Sequence, residues 1–229
     1  MKHAIAIDGP AGAGKTTLAR MIAEELSYVY VDTGALYRAF AVHKLWLIEE
    51  LSKKDASQLP ITNEKALAIF DLEFQRDEHG EQQMILYGKN INPYLRTEEV
   101  SMEASTSSAD PAVRVALLEF QRKQAMAYDV VMEGRDIGTV VLPNADVKIF
   151  LTASAEMRAK RRYFDLLHRG EYEEYESVLK KVLLRDHQDS TREACPLKQA
   201  EDAILVDSSG MDIIQTKDVI LKIIREKIG

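Results

Sequence analysis

Lys15, Thr16 and Thr17 set one ammonium and two hydroxyls side by side, and a glycine-rich stretch runs into them. From Gly9 to Thr16 the residues fit G-x-x-x-x-G-K-[ST]. Glycine reaches backbone angles closed to other residues and lets the main chain come close to a ligand. Successive N–H groups can then converge on a phosphate, and a following helix adds partial positive charge at its N-terminus. Gly9, Pro10, Ala11, Gly12, Ala13, Gly14, Lys15, Thr16 and Thr17 are therefore the expected phosphate-binding stretch. Lys15 is expected to reach β- and γ-phosphates, and Thr16 to place its hydroxyl on a magnesium ion.

Four further clusters could handle anions. Asp32-Thr33-Gly34 stands with Tyr37 and Arg38. Arg135 and Asp136 follow the apolar run Val130-Val131-Met132. Arg158, Arg161 and Arg162 are spaced by three and four residues, so they share one helix face. Three guanidiniums on one face repel unless an anion neutralises them, and phosphate does so with bidentate geometry; the alternative is pairing with Glu156 or Asp165. Arg185, Asp189 and Arg192 also share a face if their helix persists to Arg192, with Pro196 close behind. Either Glu133 or Asp136 could orient magnesium-bound water or hold an arginine, and the residues alone leave both open. The five histidines show no metal-ligand spacing.

The elements that must position these residues read as an α/β domain. Ala4 to Ile7 is a continuous apolar run, as in a parallel strand covered on both faces. Leu18, Met21, Ile22 and Leu26 give the next helix its period. Tyr28 to Val31 is a second strand, Asp32-Thr33-Gly34 a turn, and Ala35 to Leu51 a long helix. Ser52 to Pro60 reads as a loop, and Thr62 caps a short helix through Phe70. Asp71 to Phe74 and Gln83 to Tyr87, separated by a turn at Asp77-Glu78-His79-Gly80, suggest a small antiparallel piece, with a third strand at Lys89 to Ile91. Asp110-Pro111 opens a helix to about Tyr128. Asp129 to Glu133, Val147 to Leu151 and Ala203 to Val206 complete five strands of the main alternation. Between them lie a helix capped by Ser154 and another from Tyr172 to about Gln188, and an amphipathic helix closes the chain. Ligands of such sheets bind beyond the carboxyl ends of the strands, where the clusters fall.

A chain of 229 residues sets a prior of one domain, residues 1–229, with an insertion. The net charge of −7 argues against a nucleic-acid or anionic-membrane partner. No apolar run approaches the ~20 residues of a membrane helix. The start enters the first strand directly, so no signal peptide is expected and a cytoplasmic monomer is the simple reading. A single cysteine, Cys195, rules out an intramolecular disulfide or a cysteine zinc site.

The motifs together resemble the bacterial cytidylate kinases of the long form, within the P-loop nucleoside monophosphate kinases. They are Ile7-Asp8-Gly9-Pro10, Val31 through Arg38, Glu133 through Thr139, Val147 through Ser154, Arg158 through Arg162, Arg185 through Arg192, and Pro196-Leu197. Thr16 and Thr33 stand where many relatives have serine, and both keep the hydroxyl. The resemblance implies a five-stranded parallel sheet flanked by helices, a small inserted α+β segment at about residues 63–103, and a lid at about 154–172. It implies transfer of the γ-phosphoryl group of ATP, with Mg2+, to CMP or dCMP. It further implies that Ser105, Arg114 and Asp136 read cytosine, and that Thr33, Arg185 and Asp189 hold the ribose. Arg38, Arg135 and Arg192 would grip the acceptor phosphate, with Tyr37 beside them. Arg158, Arg161 and Arg162 would face the transferred group. Other readings have their own signatures: a sugar or shikimate-like acceptor for another small-molecule kinase, or ATP binding without turnover for a binding module. A GTP-driven switch needs an N-K-x-D tetrapeptide, which the sequence lacks.

Overall fold

The computed structural model describes residues 2–54, 57, 60–76, 82–193 and 195–229. The chain divides into two compact units, Met1–Asp32 with Gln121–Gly229, and Thr33–Phe120.

In the first unit the apolar runs become a parallel sheet. Its strands are β1 (Ala4–Asp8), β2 (Val29–Asp32), β6 (Val130–Gly134), β7 (Val147–Thr152) and β8 (Ile204–Asp207), in the order β2-β6-β1-β7-β8. Each neighbouring pair runs parallel. The central position of β1 explains its unbroken apolar run, since Ile5, Ala6 and Ile7 are fully buried. Helices α1 (Lys15–Leu26) and α8 (Ile213–Ile228) send Leu18, Ile22, Ile220 and Ile224 into the same core as Val131, Ile149 and Leu151. Two more helices, α6 (Ala155–His168) and α7 (Tyr175–Thr191), pack on each other through Ala159, Val178 and Val182. The Ser154 hydroxyl caps α6 by accepting from the Met157 amide at 3.2 Å.

The second unit holds α2 (Thr33–Lys54), α3 (Asn63–Leu67), α4 (Glu98–Ser107) and the start of α5 (Pro111–Ala127). Its antiparallel sheet runs β3 (Leu72–Arg76), β4 (Gln82–Leu86) and β5 (Lys89–Asn90) in that order. Leu36, Phe40, Leu86, Ile91, Val100 and Val113 form a separate core. Both the five-stranded parallel sheet and the small α+β piece are thus as the sequence reads them.

Several boundaries differ, among them the end of α3, which stops at Leu67 instead of Phe70. α2 starts at Thr33 instead of Ala35, because β2 passes directly into the helix and Thr33 and Ala35 are buried in it. It also runs past Leu51, where Lys53 and Lys54 bond Glu49 and Glu50 one turn back and lie favourably at the negative helix end. The loop expected at Ser52 to Pro60 therefore loses its first residues to the helix; residues 55, 56, 58 and 59 lie outside the described residues, as does the turn at Asp77-Glu78-His79-Gly80. α7 starts three residues late and ends three late, with the Ser190 and Thr191 hydroxyls closing its last turn on the carbonyls of Asp186 and His187. A π-helical turn at Ile137–Val141, which periodicity does not signal, follows β6.

Candidate active site

β1 delivers the glycine loop at the carboxyl end of the sheet. Gly9 has φ 148°, and a Cβ there would overlap the Leu151 carbonyl oxygen, so the loop can leave the strand only through glycine. Gly14, at φ 93°, turns the chain into α1. The Lys15 ammonium is buried and donates to the Pro10 carbonyl at 2.8 Å, back across its own loop. Burial pushes its pKa well down, and nearby Arg135 adds to this; Glu133, Asp8 and Asp189 oppose them. Extra negative charge beside it, such as a phosphate, would be welcome.

The arginines of α6 divide. Arg158 is buried and has four of its N–H groups engaged: Nε on the Ala153 carbonyl at 2.8 Å, Nη1 on the loop carbonyl of Ala11 at 3.2 Å, and a bidentate pair with Asp186 at 2.8 and 2.6 Å. Arg161 donates to the loop carbonyl of Ala13 at 3.2 Å and to Ser208. Arg162 is exposed, with Glu173 nearby. The expected common face is real but only part of it meets the loop, and the acidic partner of Arg158 is Asp186 of α7 instead of Glu156 or Asp165.

Between β2 and β6, Asp32 and Glu133 are register partners. Glu133 is buried; burial raises its pKa and Asp32 adds to that, while Lys15 and hydrogen bonds from Thr16 and Tyr30 oppose. The Tyr30 hydroxyl donates to its Oε1 at 2.7 Å. Thr16 and Glu133 thus form a hydroxyl–carboxylate pair. Among the described residues no group of three or more His, Cys, Asp or Glu could hold a metal. The donor set fits a Mg2+ that keeps waters and phosphate oxygens as most of its ligands.

The remaining first-unit candidates gather around Asp189. Arg135 donates to its Oδ2 at 2.8 Å. Burial alone would raise the Asp189 pKa, but Arg135, Arg185 and Arg192 together hold it below the usual carboxylate range. Arg192 is not on the helix face with Arg185: α7 stops at Thr191 and Arg192 is extended, its Nε on the Cys195 carbonyl at 2.6 Å. Its guanidinium still lies 3.9 Å from the Asp136 carboxylate.

In the second unit, Thr33 and Tyr37 lie one turn apart on α2, with Arg38 beside them. The Arg114 guanidinium sits over the Tyr37 ring at 5.7 Å and donates to the Ser108 carbonyl at 3.1 Å. Ser105 is on α4, half-buried.

Sequence reasoning missed Tyr30 and Ser208, whose partners lie far along the chain, and named Asp186 only within a motif. It quoted Asp8 only as part of a motif, although an acid ending an apolar strand is itself a signal.

A family model described as Cytidylate kinase matches residues 5–226. The cytidylate kinase of Carboxydothermus hydrogenoformans is 48% identical over 223 residues, covering 97% of this chain and 97% of that one. That of a Geobacillus strain is 44% identical over 225 residues, covering 98% and 97%. Among solved structures, an uncharacterized protein from Eubacterium ventriosum aligns with TM-score 0.53 at 14% identity, over 98% of this chain and 99% of that one. That last likeness bears on the fold alone.

Proposed function

Because the chain belongs to the cytidylate kinase family and so phosphorylates CMP or dCMP with ATP, we propose that the glycine loop and the Asp189-centred cluster divide the reaction between them. The loop holds the donor and the cluster holds the acceptor. The observation that carries this is that β1 and β6 run parallel with Asp8 and Gly134 as register partners, so the glycine loop and Arg135 leave the same end of the sheet on neighbouring strands. A donor tail on Lys15 and an acceptor phosphate on Arg135 would therefore meet.

Phosphoryl transfer depends on alignment and on neutralising charge spread over oxygens, with no covalent enzyme intermediate. Gly9 through Thr17 would cradle the donor phosphates, and Lys15 would lie along the β- and γ-oxygens. Arg38, Arg135 and Arg192 would hold the acceptor phosphate and screen its repulsion from the donor. Asp189, which already orients Arg135, would with Thr33 and Arg185 take the ribose. Asp136, Ser105 and Arg114 would read cytosine, with Tyr37 supporting Arg114. Arg158, Arg161 and Arg162 would neutralise charge on the transferred group, while closure of residues 154–172 would keep water out. Mg2+ would be held by the Thr16 hydroxyl, with Glu133 orienting its water; when bound it supplies charge neutralisation on the donor oxygens. No helix of the described residues is long and apolar enough to cross a membrane. The net charge of −7 supports a reading without nucleic acid as partner. We take the chain to act as a monomer in the cytoplasm.

The test is a panel of nucleoside monophosphates with ATP and Mg2+. CMP and dCMP should be preferred over UMP, AMP and GMP, and Asp136→Asn should weaken CMP far more than ATP. Equal loss of both nucleotides in that variant would remove Asp136 from base recognition.

A further inference from the structure

We propose that Asp186 is a positioning residue for the donor nucleotide: through Arg158 it fixes the Ala11–Gly12 peptide of the glycine loop, and so ties the loop to the helix that carries Asp189. This rests on the reading of the loop as the donor site and of the Asp189 cluster as the acceptor site. Each Asp186 oxygen takes one guanidinium N–H, Oδ1 from Nη1 at 2.8 Å and Oδ2 from Nη2 at 2.6 Å. Such a fork-to-fork pair sets the orientation of the guanidinium plane. In that orientation Nε donates to the Ala153 carbonyl at 2.8 Å, and Nη1 also reaches the Ala11 carbonyl at 3.2 Å. A held carbonyl turns the N–H of the next residue, here Gly12, to the opposite side of the planar peptide. That amide belongs to the cradle that would meet the donor phosphates.

Three further observations support this. Gly12 has φ 77°, and a Cβ there would come within 3.2 Å of the Arg158 Cβ and 3.4 Å of the Arg158 carbonyl oxygen, so the start of α6 lies against the loop at this residue. The Arg158 side chain is buried, and a buried ion pair is a weak source of net stability; its best-attested use is to specify one arrangement over others. Asp189 lies three residues beyond Asp186 on α7, on the same helix face, and accepts from Arg135 at 2.8 Å. Two carboxylates one turn apart thus reach the donor loop through Arg158 and the acceptor cluster through Arg135, and both nucleotide tails are referred to one helix.

Asp186→Asn keeps the shape but sets an NH2 group against one guanidinium N–H, so Arg158 must shift and the Ala11 carbonyl loses its donor. The experiment titrates ATP, ADP and CMP singly, with Mg2+, by calorimetry into the intact parent chain, Asp186→Asn, Arg158→Lys, their double variant and Lys15→Ala. Expected in Asp186→Asn is a rise of at least ~10-fold in Kd for both ATP and ADP, with Kd for CMP within ~3-fold. ADP is the deciding ligand: it lacks the transferred group, so a contact of Arg158 with that group alone would leave its affinity unchanged. The double variant should bind ADP no more weakly than Arg158→Lys, because Asp186 acts through Arg158. Parental ADP affinity in Asp186→Asn, loss confined to ATP, equal loss toward CMP, or additive loss in the double would overturn the proposal. If Asp186→Asn does not fold, Arg158→Lys decides: it keeps the charge but not the planar fork, and should show the same split. Parental ADP affinity in that variant would count against the proposal. Lys15→Ala separates this inference from the reading beneath it. If Lys15→Ala loses ADP affinity and Asp186→Asn does not, this inference alone fails. If Lys15→Ala binds ATP and ADP as the parent does, the reading of the loop as the donor site fails.

Discussion

The bidentate pair between Arg158 and Asp186 makes a prediction whose asymmetry is its content. The Arg158 side chain is 6% exposed and that of Asp186 is 26% exposed. Removing one member of a buried pair strands the other, at about 3–5 kcal/mol when the stranded group is fully enclosed. Asp186→Ala strands the more enclosed partner, but the guanidinium keeps the Ala153 and Ala11 carbonyls and water can enter where the carboxylate was. The expected cost is therefore about 2–3 kcal/mol, below the full penalty. For a chain of this size that is a fall in Tm of about 5–10 °C. Arg158→Met strands Asp186, which can turn to solvent, so its expected cost is only about 1–2 kcal/mol. The double variant should be close to Arg158→Met alone, giving a coupling of about 2–3 kcal/mol. Urea unfolding with unchanged m-values measures all three differences. A coupling below about 0.5 kcal/mol, or a larger cost for Arg158→Met than for Asp186→Ala, would falsify the reasoning.

Lys15→Ala should lower phosphoryl transfer at least ~100-fold, the scale of losing one preorganised stabiliser, and near-normal turnover in a coupled CMP assay would contradict the assignment. The Asp8 carboxyl is pushed up to about 6, chiefly by burial, with the Gly138 and Ile137 amides and Lys15 opposing and Asp136 adding to the rise. A folded chain that holds this proton more tightly than the unfolded one gains stability that is full below pH ~4 and lost as pH rises through ~6, worth roughly 3 kcal/mol. The stability of the parent minus that of Asp8→Asn should thus grow as pH falls from 7 to 4, and a flat difference refutes it. In the second unit, the Tyr87 hydroxyl donates to the Ile69 carbonyl at 2.7 Å and lies 3.0 Å from His43 Nδ1. Tyr87→Phe should cost about 1 kcal/mol and lower Tm by about 2–4 °C; an unchanged melt would show that water replaces the hydroxyl without loss.

What the sequence made legible was local. An apolar run entering Gly9, the period of α1, the Ser154 cap and the Asp110-Pro111 helix start each depend on residues within one or two turns, and each stands as read. The paired arrangement around Glu133 was half legible: its acid was visible, but Tyr30 meets it across 103 positions and nothing near Tyr30 announces it. Arg192 shares a helix face with Arg185 only if the helix persists, and spacing alone cannot tell where a helix stops; the backbone turns extended there and the side chain reaches Asp136 by another route. Likewise i, i+3 and i+4 spacing fixes a face for Arg158, Arg161 and Arg162 but not which part of that face meets the loop.

The division among those arginines bears on how the glycine loop keeps its shape. A peptide group is planar, so a carbonyl held on one side presents the N–H of the next residue on the other. Arg158 holds the carbonyl of Ala11 and Arg161 that of Ala13. The amides of Gly12 and Gly14 belong to those same two peptide groups and must therefore face away from the guanidiniums. A loop rich in glycine would otherwise be free to turn its peptides either way. Two of the three arginines expected at the transferred group thus already fix the orientation of donors in the cradle. Asp186 holds Arg158 in that position, and Ser208 does the same for Arg161. Arg162, exposed and not bonded to the loop, is the member of the set whose effect should fall on turnover without a matching change in loop order.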